Sequence, residues 1–373
     1  MNNVVFFDDT IDIFSTFIVF VLSGYLINKT ANVFKATKTR ALGLYIWHSA
    51  FSLVYAFFSL IKTADSTYYY IFSKGIMPDF KIGTDAVTYI AGIFTNGFGL
   101  SYLGLFMVFN IFGSIGLLAV DASLRHATVD KSGFVKFMAM LIVLLPSMSY
   151  WSGAIGKDSI AFMSTGLLLW ASIDLKQRYK LFFIAFFFMF IIRPHIAGIM
   201  LVAFFLSLLI NNNLPLLKKF FYLSILSFVM IIIMPIVFEF IGLNEIISIE
   251  SLKEYTNLRQ SYNLRGGGSI DISSMSFFLK LFTYLFRPLP YEAHSLLSLI
   301  SSIDNLFLLF IFILSLFSLL KLKKEKFTLN HSKENRWFLL IFSVTAFIML
   351  SSVTANLGIS VRQKWMFVPI LLY

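Results

Sequence analysis

The stretch LFFIAFFFMFIIRPHIAGIMLVAFFLSLLI, residues 181–210, decides the fold. Long continuous apolar runs without period-two alternation select helices in lipid over a barrel, because backbone groups there must pair internally. Arg193-Pro194-His195 stand in the middle of the run. Proline removes a helix donor and biases the residue before it away from helix. Basic residues flank both ends, Lys180 on one side and Lys218 and Lys219 on the other. The expected arrangement is therefore two short passes, 181–192 and 196–210, meeting on the outer side. Arg193 and His195 then face protein or water, since an arginine in lipid is costly.

Composition agrees. Of 373 residues, 58% are hydrophobic and 13% charged, so this is no soluble chain. Several runs of about 20 apolar residues are each long enough to cross a hydrocarbon layer of about 30 Å. The expected fold class is all-α, a polytopic transmembrane helical bundle of about eleven spans treated as one integral membrane domain, residues 1–373. The net charge of +11 would suggest nucleic acid in a soluble protein. Here most Lys and Arg fall in short interhelical loops, which is the positive-inside signature, so no nucleic-acid partner is expected. Zero cysteines removes disulfides, thiolate metal sites and a cysteine nucleophile. The first apolar run follows an acidic tail and has no small-residue cleavage pattern, so it reads as a retained span.

The N-terminal tail carries Asp8 and Asp9, whereas Lys29, Lys35, Lys38 and Arg40 follow the first span. That places the N-terminus outside and the first loop in the cytoplasm. His48 in the second span reads as a packed, hydrogen-bonded residue. Residues 86–98 read as a segment lying flat at the membrane surface, and 137–150 as a fourth span. A short glycine turn carrying Lys157 and Asp158 links the fourth and fifth spans. Lys321, Lys323, Lys324, Lys326, Lys333 and Arg336 form the most basic cytoplasmic loop. The segment from Trp365 is too short to cross alone. No internal repeat supports an inverted-repeat transporter.

The long polar interval, 241–294, reads as an extracytoplasmic loop. Loops longer than about 12–15 residues between packed elements are usually functional or disordered. This one alternates cations, glycines and aromatics: Arg259, Arg265, Gly266-Gly267-Gly268, Asp271 and Phe286-Arg287-Pro288-Leu289-Pro290-Tyr291-Glu292. With Lys157, Arg193, Arg362 and Lys364 these arginines form an outer set of cations that the positive-inside bias does not explain. Arginine offers fixed donors to phosphate oxygens, so a pyrophosphate at the outer boundary is the natural ligand. The glycine triplet can add backbone N–H groups to the same anion. A transfer onto a hydroxyl that displaces such a pyrophosphate also needs a base for the hydroxyl proton. Asp85, Glu292 and Asp158 are the preferred acids, and His195 joins the binding set. No His/Asp/Glu spacing resembles a metal site, and no cofactor is expected.

Four stretches in order carry a family resemblance: Gly83-Thr84-Asp85-Ala86-Val87-Thr88-Tyr89, PSMSYWSGAIGKD (146–158), Phe286-Arg287-Pro288-Leu289-Pro290-Tyr291-Glu292, and Asn356-Leu357-Gly358 with Arg362 and Lys364. Together they resemble the O-antigen polymerase (Wzy-type) group of bacterial polysaccharide membrane proteins. The resemblance covers most of the chain by topology, although the last span is abbreviated. It implies a bacterial inner-membrane protein with its N-terminus in the periplasm, and transfer of a growing glycan from one polyprenyl pyrophosphate carrier onto a carrier-linked repeat unit on the periplasmic face. Its implied partners are lipid-linked glycans, the bilayer and a chain-length regulator protein. It fixes no catalytic residue. Three other readings share parts of the pattern: a polyprenyl-phosphate-sugar glycosyltransferase, an O-antigen ligase, and a lipid-linked oligosaccharide flippase.

Overall fold

The computed structural model describes residues 4–62, 64–75, 79–210, 215–242, 249–263, 268–321 and 335–373. The protein is 82% helical, and among the described residues strand pairing is limited to one bridge between Ser269 and Asn356. The chain divides into two compact units, residues 1–197 with Tyr373, and residues 198–372.

The first unit holds α1 (Thr10–Thr30), α2 (Lys38–Ile61), α3 (Asp65–Ser73), α4 (Thr84–Gly97), α5 (Tyr102–Ala127), α6 (Gly133–Val143), α7 (Pro146–Ser152), α8 (Lys157–Ile173) and α9 (Leu175–Ile192). The boundary falls within α10 (Pro194–Ile210). The second unit continues with α11 (Leu216–Ile241), α12 (Ile249–Asn263), α13 (Phe277–Phe286), α14 (Leu296–Lys321), α15 (Arg336–Val353), α16 (Leu357–Gln363) and α17 (Val368–Leu372).

Among the described residues, seven helices are long and apolar enough to cross a membrane: α1 with its following turn, α2, α5, the α6–α7 pair, α11, α14 and α15. This is fewer than the eleven spans expected. Helices α8 and α10 have 17 residues each, and α9 carries four basic positions, Lys176, Arg178, Lys180 and, at its C-cap, Arg193. The expected fourth span is itself broken at Pro146, whose ring restricts Leu145 to an extended conformation and starts α7 afresh. Residues 86–98 lie within and just after α4, a helix of 14 residues.

Helices α5 and α8 form the centre of the first unit. Every residue from Ser159 to Ile173 is buried, so α8 is surrounded by protein on all sides. Its hydroxyls are satisfied locally: Ser164, Thr165 and Ser172 donate to carbonyls four residues back at 3.0, 3.1 and 2.8 Å. Glycines set the crossing. A Cβ on Gly166 would lie 2.5 Å from the Gly116 carbonyl oxygen, and one on Gly116 would lie 2.8 Å from Phe162.

His48 is fully buried, as expected for a packed residue, and links α2 to α5 and α7. Its Nδ1 lies 2.5 Å from Asn110 Oδ1 and its Nε2 lies 2.8 Å from Ser152 Oγ. Asn110 Nδ2 donates to Ser49 Oγ at 2.7 Å, and Ser49 donates on to the Tyr45 carbonyl at 2.7 Å. That chain fixes the Asn110 amide with its oxygen toward His48. The imidazole Nδ1–H then donates to Asn110 Oδ1, while the Ser152 hydroxyl beside Nε2 donates to the Met148 carbonyl at 2.6 Å.

Charge is segregated along the first unit. At one end, Arg40 donates to Asp121 through Nε at 2.9 and 3.0 Å, and Arg125 Nε reaches the same carboxylate at 2.9 Å. Trp170 Nε1 donates to the Val33 carbonyl at 3.0 Å there, and the Arg178 guanidinium lies 3.4 Å from the Trp170 ring centroid. Lys29, Lys35, Lys38, Lys176 and Lys180 share this end with few acids. The opposite end, joined by hydrogen bonds between Ser59 and Tyr102 and from Ser66 to the Ile155 carbonyl, carries Asp8, Asp9, Asp12, Asp65 and Asp85 together with Lys62, Lys74 and Lys81.

The second unit exposes Phe220, Phe221, Ile225, Phe228, Ile231 and Ile232 on α11. A contiguous apolar surface of that kind suits lipid. The interval 241–294, read as one polar loop, instead holds α12 and α13 in its described parts. The physical reason lies in α13, FFLKLFTYLF, which buries Tyr284, Leu285 and Phe286. Tyr284 packs with Phe347 and Phe367, whose ring centroids lie 6.3 and 6.1 Å away. Trp365, Met366, Phe367 and Val368 are buried beside short helical turns.

Candidate functional site

Each unit presents its own cluster. In the first, the break anticipated at Arg193-Pro194 is present: α9 ends at Ile192 and α10 starts at Pro194. The last carbonyls of a helix need partners from outside it. Here the Gly83 N–H donates to the Ile191 carbonyl at 2.7 Å, tying the Gly83-Thr84-Asp85 turn to the end of α9. Gly83 has φ +94°, a conformation in which a side chain would be strained, and α4 starts directly after it.

Arg193 is 7% exposed, and its Nη2 donates to Asp158 Oδ1 at 2.6 Å. Its Nε is buried with no hydrogen-bond partner among the described residues. Asp158 sits in the first turn of α8, where the positive end of the helix dipole favours a carboxylate. The turn before it is pinned from behind: Ser52 donates to the Gly153 carbonyl and Ser66 to the Ile155 carbonyl, both at 2.7 Å. Lys157 and His195 are half-buried, on the first turns of α8 and α10. Asp85 is exposed in the first turn of α4. The first unit thus brings together Asp158 and Arg193 directly, with the Asp85 turn held against the same helix end.

In the second unit, Arg287 and Glu292 form a bidentate pair. Arg287 Nε donates to Oε1 at 2.8 Å and to Oε2 at 3.1 Å, and Nη2 also donates to Oε1. The Leu289 N–H donates to Glu292 Oε2 at 2.7 Å. The Arg287 hydrogen bond, joined by that backbone donor, holds the Glu292 carboxyl below its ordinary pKa, and the same pairing raises that of Arg287. The Arg287-Pro288 peptide is cis.

Lys364, expected as an outer phosphate ligand, is fully buried. Its Nζ donates to the Leu285 carbonyl at 3.4 Å and to Asn305 Oδ1. Asn305, also fully buried, donates from Nδ2 to the Pro288 carbonyl at 3.0 Å. Sequence reasoning passed over Asn305. The signal was there: an adjacent Asp304-Asn305 pair inside an apolar run is costly unless both side chains are paired.

Arg362 is half-buried on α16, and Arg259 lies 5.3 Å from the Tyr255 ring on α12. Gln260 of α12 donates to the Ser352 carbonyl at 2.9 Å, fixing that helix to the end of α15. Arg265, Gly266 and Gly267 lie outside the described residues. Gly268 is within them, and its carbonyl accepts from the Leu357 N–H at 2.7 Å. A Cβ there would lie 3.0 Å from Asn356 Oδ1. Its backbone oxygen therefore serves the pairing of 268–270 with 355–357.

Among the described residues no group of three or more His, Asp or Glu is placed to hold a metal ion. What each cluster offers is a guanidinium held by one carboxylate. An incoming anion can take the guanidinium donors, and the displaced carboxylate becomes available to accept a proton. Comparison with protein-family models, curated proteins and solved structures returned no match. Among the described residues the protein is thus all-helical, with seven helices long and apolar enough to cross a membrane and, besides the Arg40–Asp121–Arg125 set, an arginine–carboxylate pair in each unit.

Proposed function

We propose that this is a polytopic inner-membrane glycosyltransferase joining polyprenyl pyrophosphate-linked oligosaccharide repeat units into an O-antigen or capsular-type polysaccharide. The observation that carries the reading is Arg193 paired with Asp158 at a break in an apolar run, beside Lys157 and the Asp85 turn. Membranes exclude such a cation unless protein or water receives it, and an intramembrane ionisable residue marks a functional site by default. Guanidinium and ammonium groups stabilise the departing pyrophosphate in place of a metal ion. A carboxylate released from its arginine accepts the acceptor hydroxyl proton.

In this reading the basic end of the first unit faces the cytoplasm, and the N-terminus and both clusters face the periplasm. Helices α8, α9 and α10 lie within the bilayer as well, α8 enclosed by protein, which brings the count toward eleven passes.

The test is deletion of the gene followed by a gel of surface polysaccharide. Single-repeat capping supports polymerase. Free carrier-linked polymer instead identifies a ligase, and loss of all outward-facing repeat identifies a flippase. An unchanged ladder removes the proposal.

A further inference from the structure

We infer that Lys364 is a positioning residue that, together with Asn305, holds the backbone on both sides of Arg287 and so fixes where that guanidinium is presented. The inference rests on the proposed glycosyl transfer and gives Lys364 a task other than touching the substrate.

A buried ammonium is costly unless its donors are used, and Lys364 is 0% exposed. Its donors go to two places. One is the Leu285 carbonyl, among the last of α13 and therefore without a partner in its own helix. The other is Asn305 Oδ1, which leaves the Asn305 amide turned toward the Pro288 carbonyl at 3.0 Å. The two carbonyls so gripped, at 285 and 288, bracket Arg287. From the other side Glu292 accepts both the Leu289 N–H and the Arg287 guanidinium. Burial lowers the Lys364 pKa to about 7, opposed by the charge of Asp304, which is 3% exposed on the same helix as Asn305. The loop is thus held by α14 and by the turn at Lys364 before any ligand arrives. Preorganisation of this kind is what catalytic and anion-binding side chains require, since small misplacements cost large factors in rate.

The experiment uses the full chain with Lys364→Met, Lys364→Gln, Asn305→Asp and Arg287→Ala. Three quantities are read: the surface glycan ladder in cells, the thermal midpoint of the purified protein, and amide hydrogen exchange over 285–293. Methionine fills the volume without donating. Glutamine keeps a donor. Aspartate at 305 keeps the acceptor for Lys364 but loses the grip on Pro288. The expected result is that Lys364→Met and Asn305→Asp cut long-chain glycan at least tenfold and speed exchange at 285–293 at least tenfold, with exchange in the other helices unchanged. Lys364→Gln recovers a substantial part of both. Normal exchange and a normal ladder in Lys364→Met, with the ladder lost in Arg287→Ala, overturns the positioning role and leaves the proposed function standing. Equal loss in the Met and Gln variants with a lowered midpoint overturns it too, because that is the behaviour of a merely structural lysine. A normal ladder in Arg287→Ala removes the use of Arg287 in the proposed reaction, and this inference with it.

Discussion

Arg193 and Asp158, 35 positions apart in sequence, meet at 2.6 Å with their side chains only 9% and 16% exposed. Removing one member of a buried pair leaves the other charged and unpaired, at about 3–5 kcal/mol. Asp158→Ala is therefore expected to lower the thermal midpoint sharply, whereas the double variant Asp158→Leu with Arg193→Met recovers most of it. Equal midpoints for the single and double variants would show that the pair is not what holds this helix end.

Arginine substitutions address the proposed reaction. Arg287→Ala, Arg265→Ala and Arg193→Ala are each expected to abolish long-chain glycan while the protein is still made and inserted. Immunoblotting of membranes beside the glycan gel separates lost activity from lost protein. Normal ladder length in the Arg287 and Arg265 variants would refute their phosphate-binding role.

The Glu292 carboxyl is held below its ordinary pKa chiefly by its hydrogen bond from Arg287. A depressed carboxyl contributes stability that is complete above the unfolded-state value of about 4.3 and is lost as pH falls through the folded-state value. Thermal midpoints taken from pH 7 down to pH 3 should thus show an acid-side decline that is smaller in Glu292→Gln. Parallel curves for the two proteins would mean that the pair contributes nothing to stability.

The α5–α8 crossing leaves no room at Gly166. Alanine there must push the helices apart, and overpacking of this kind costs about 1–3 kcal/mol. Gly133→Ala, whose Cβ would meet nothing within 4 Å, is the control and should be near neutral. A Gly166→Ala protein as stable as the control would show that the crossing is looser than its geometry.

Asn110→Leu strips His48 of its Nδ1 partner and leaves Ser49 without its amide donor. Buried polar groups orphaned in this way cost about 1–3 kcal/mol each. Ser164→Ala, which removes a hydroxyl bonded only to its own helix, should cost far less. Thermal unfolding of both in detergent decides between them.

Much was legible in the chain. Long apolar runs allowed only helices, and Arg193-Pro194 marked a break in α9–α10 because proline cannot continue the hydrogen-bond ladder. His48 was legible as a packed residue, since a lone histidine on an apolar helix must find partners. The loop 241–294 was read too simply. Its polar residues suggested a single surface, but α13 is apolar enough to bury one face, and that outcome depends on Tyr284 finding Phe347 and Phe367 far along the sequence.

By itself the sequence determined that the chain is helical, that it has segments long and apolar enough to cross a membrane, and that certain cations interrupt apolar runs. These follow from local rules: backbone groups must pair within a segment, and charge avoids hydrocarbon. Only the tertiary structure decided which acid answers which base. Asp158 takes Arg193 and Glu292 takes Arg287, while Lys364 turns inward to Leu285 and Asn305. The Arg193 and Lys364 pairings depend on distances across helices that share no sequence neighbourhood, so periodicity and composition carry no record of them, and Arg287 meets Glu292 five positions on only because the chain turns between them.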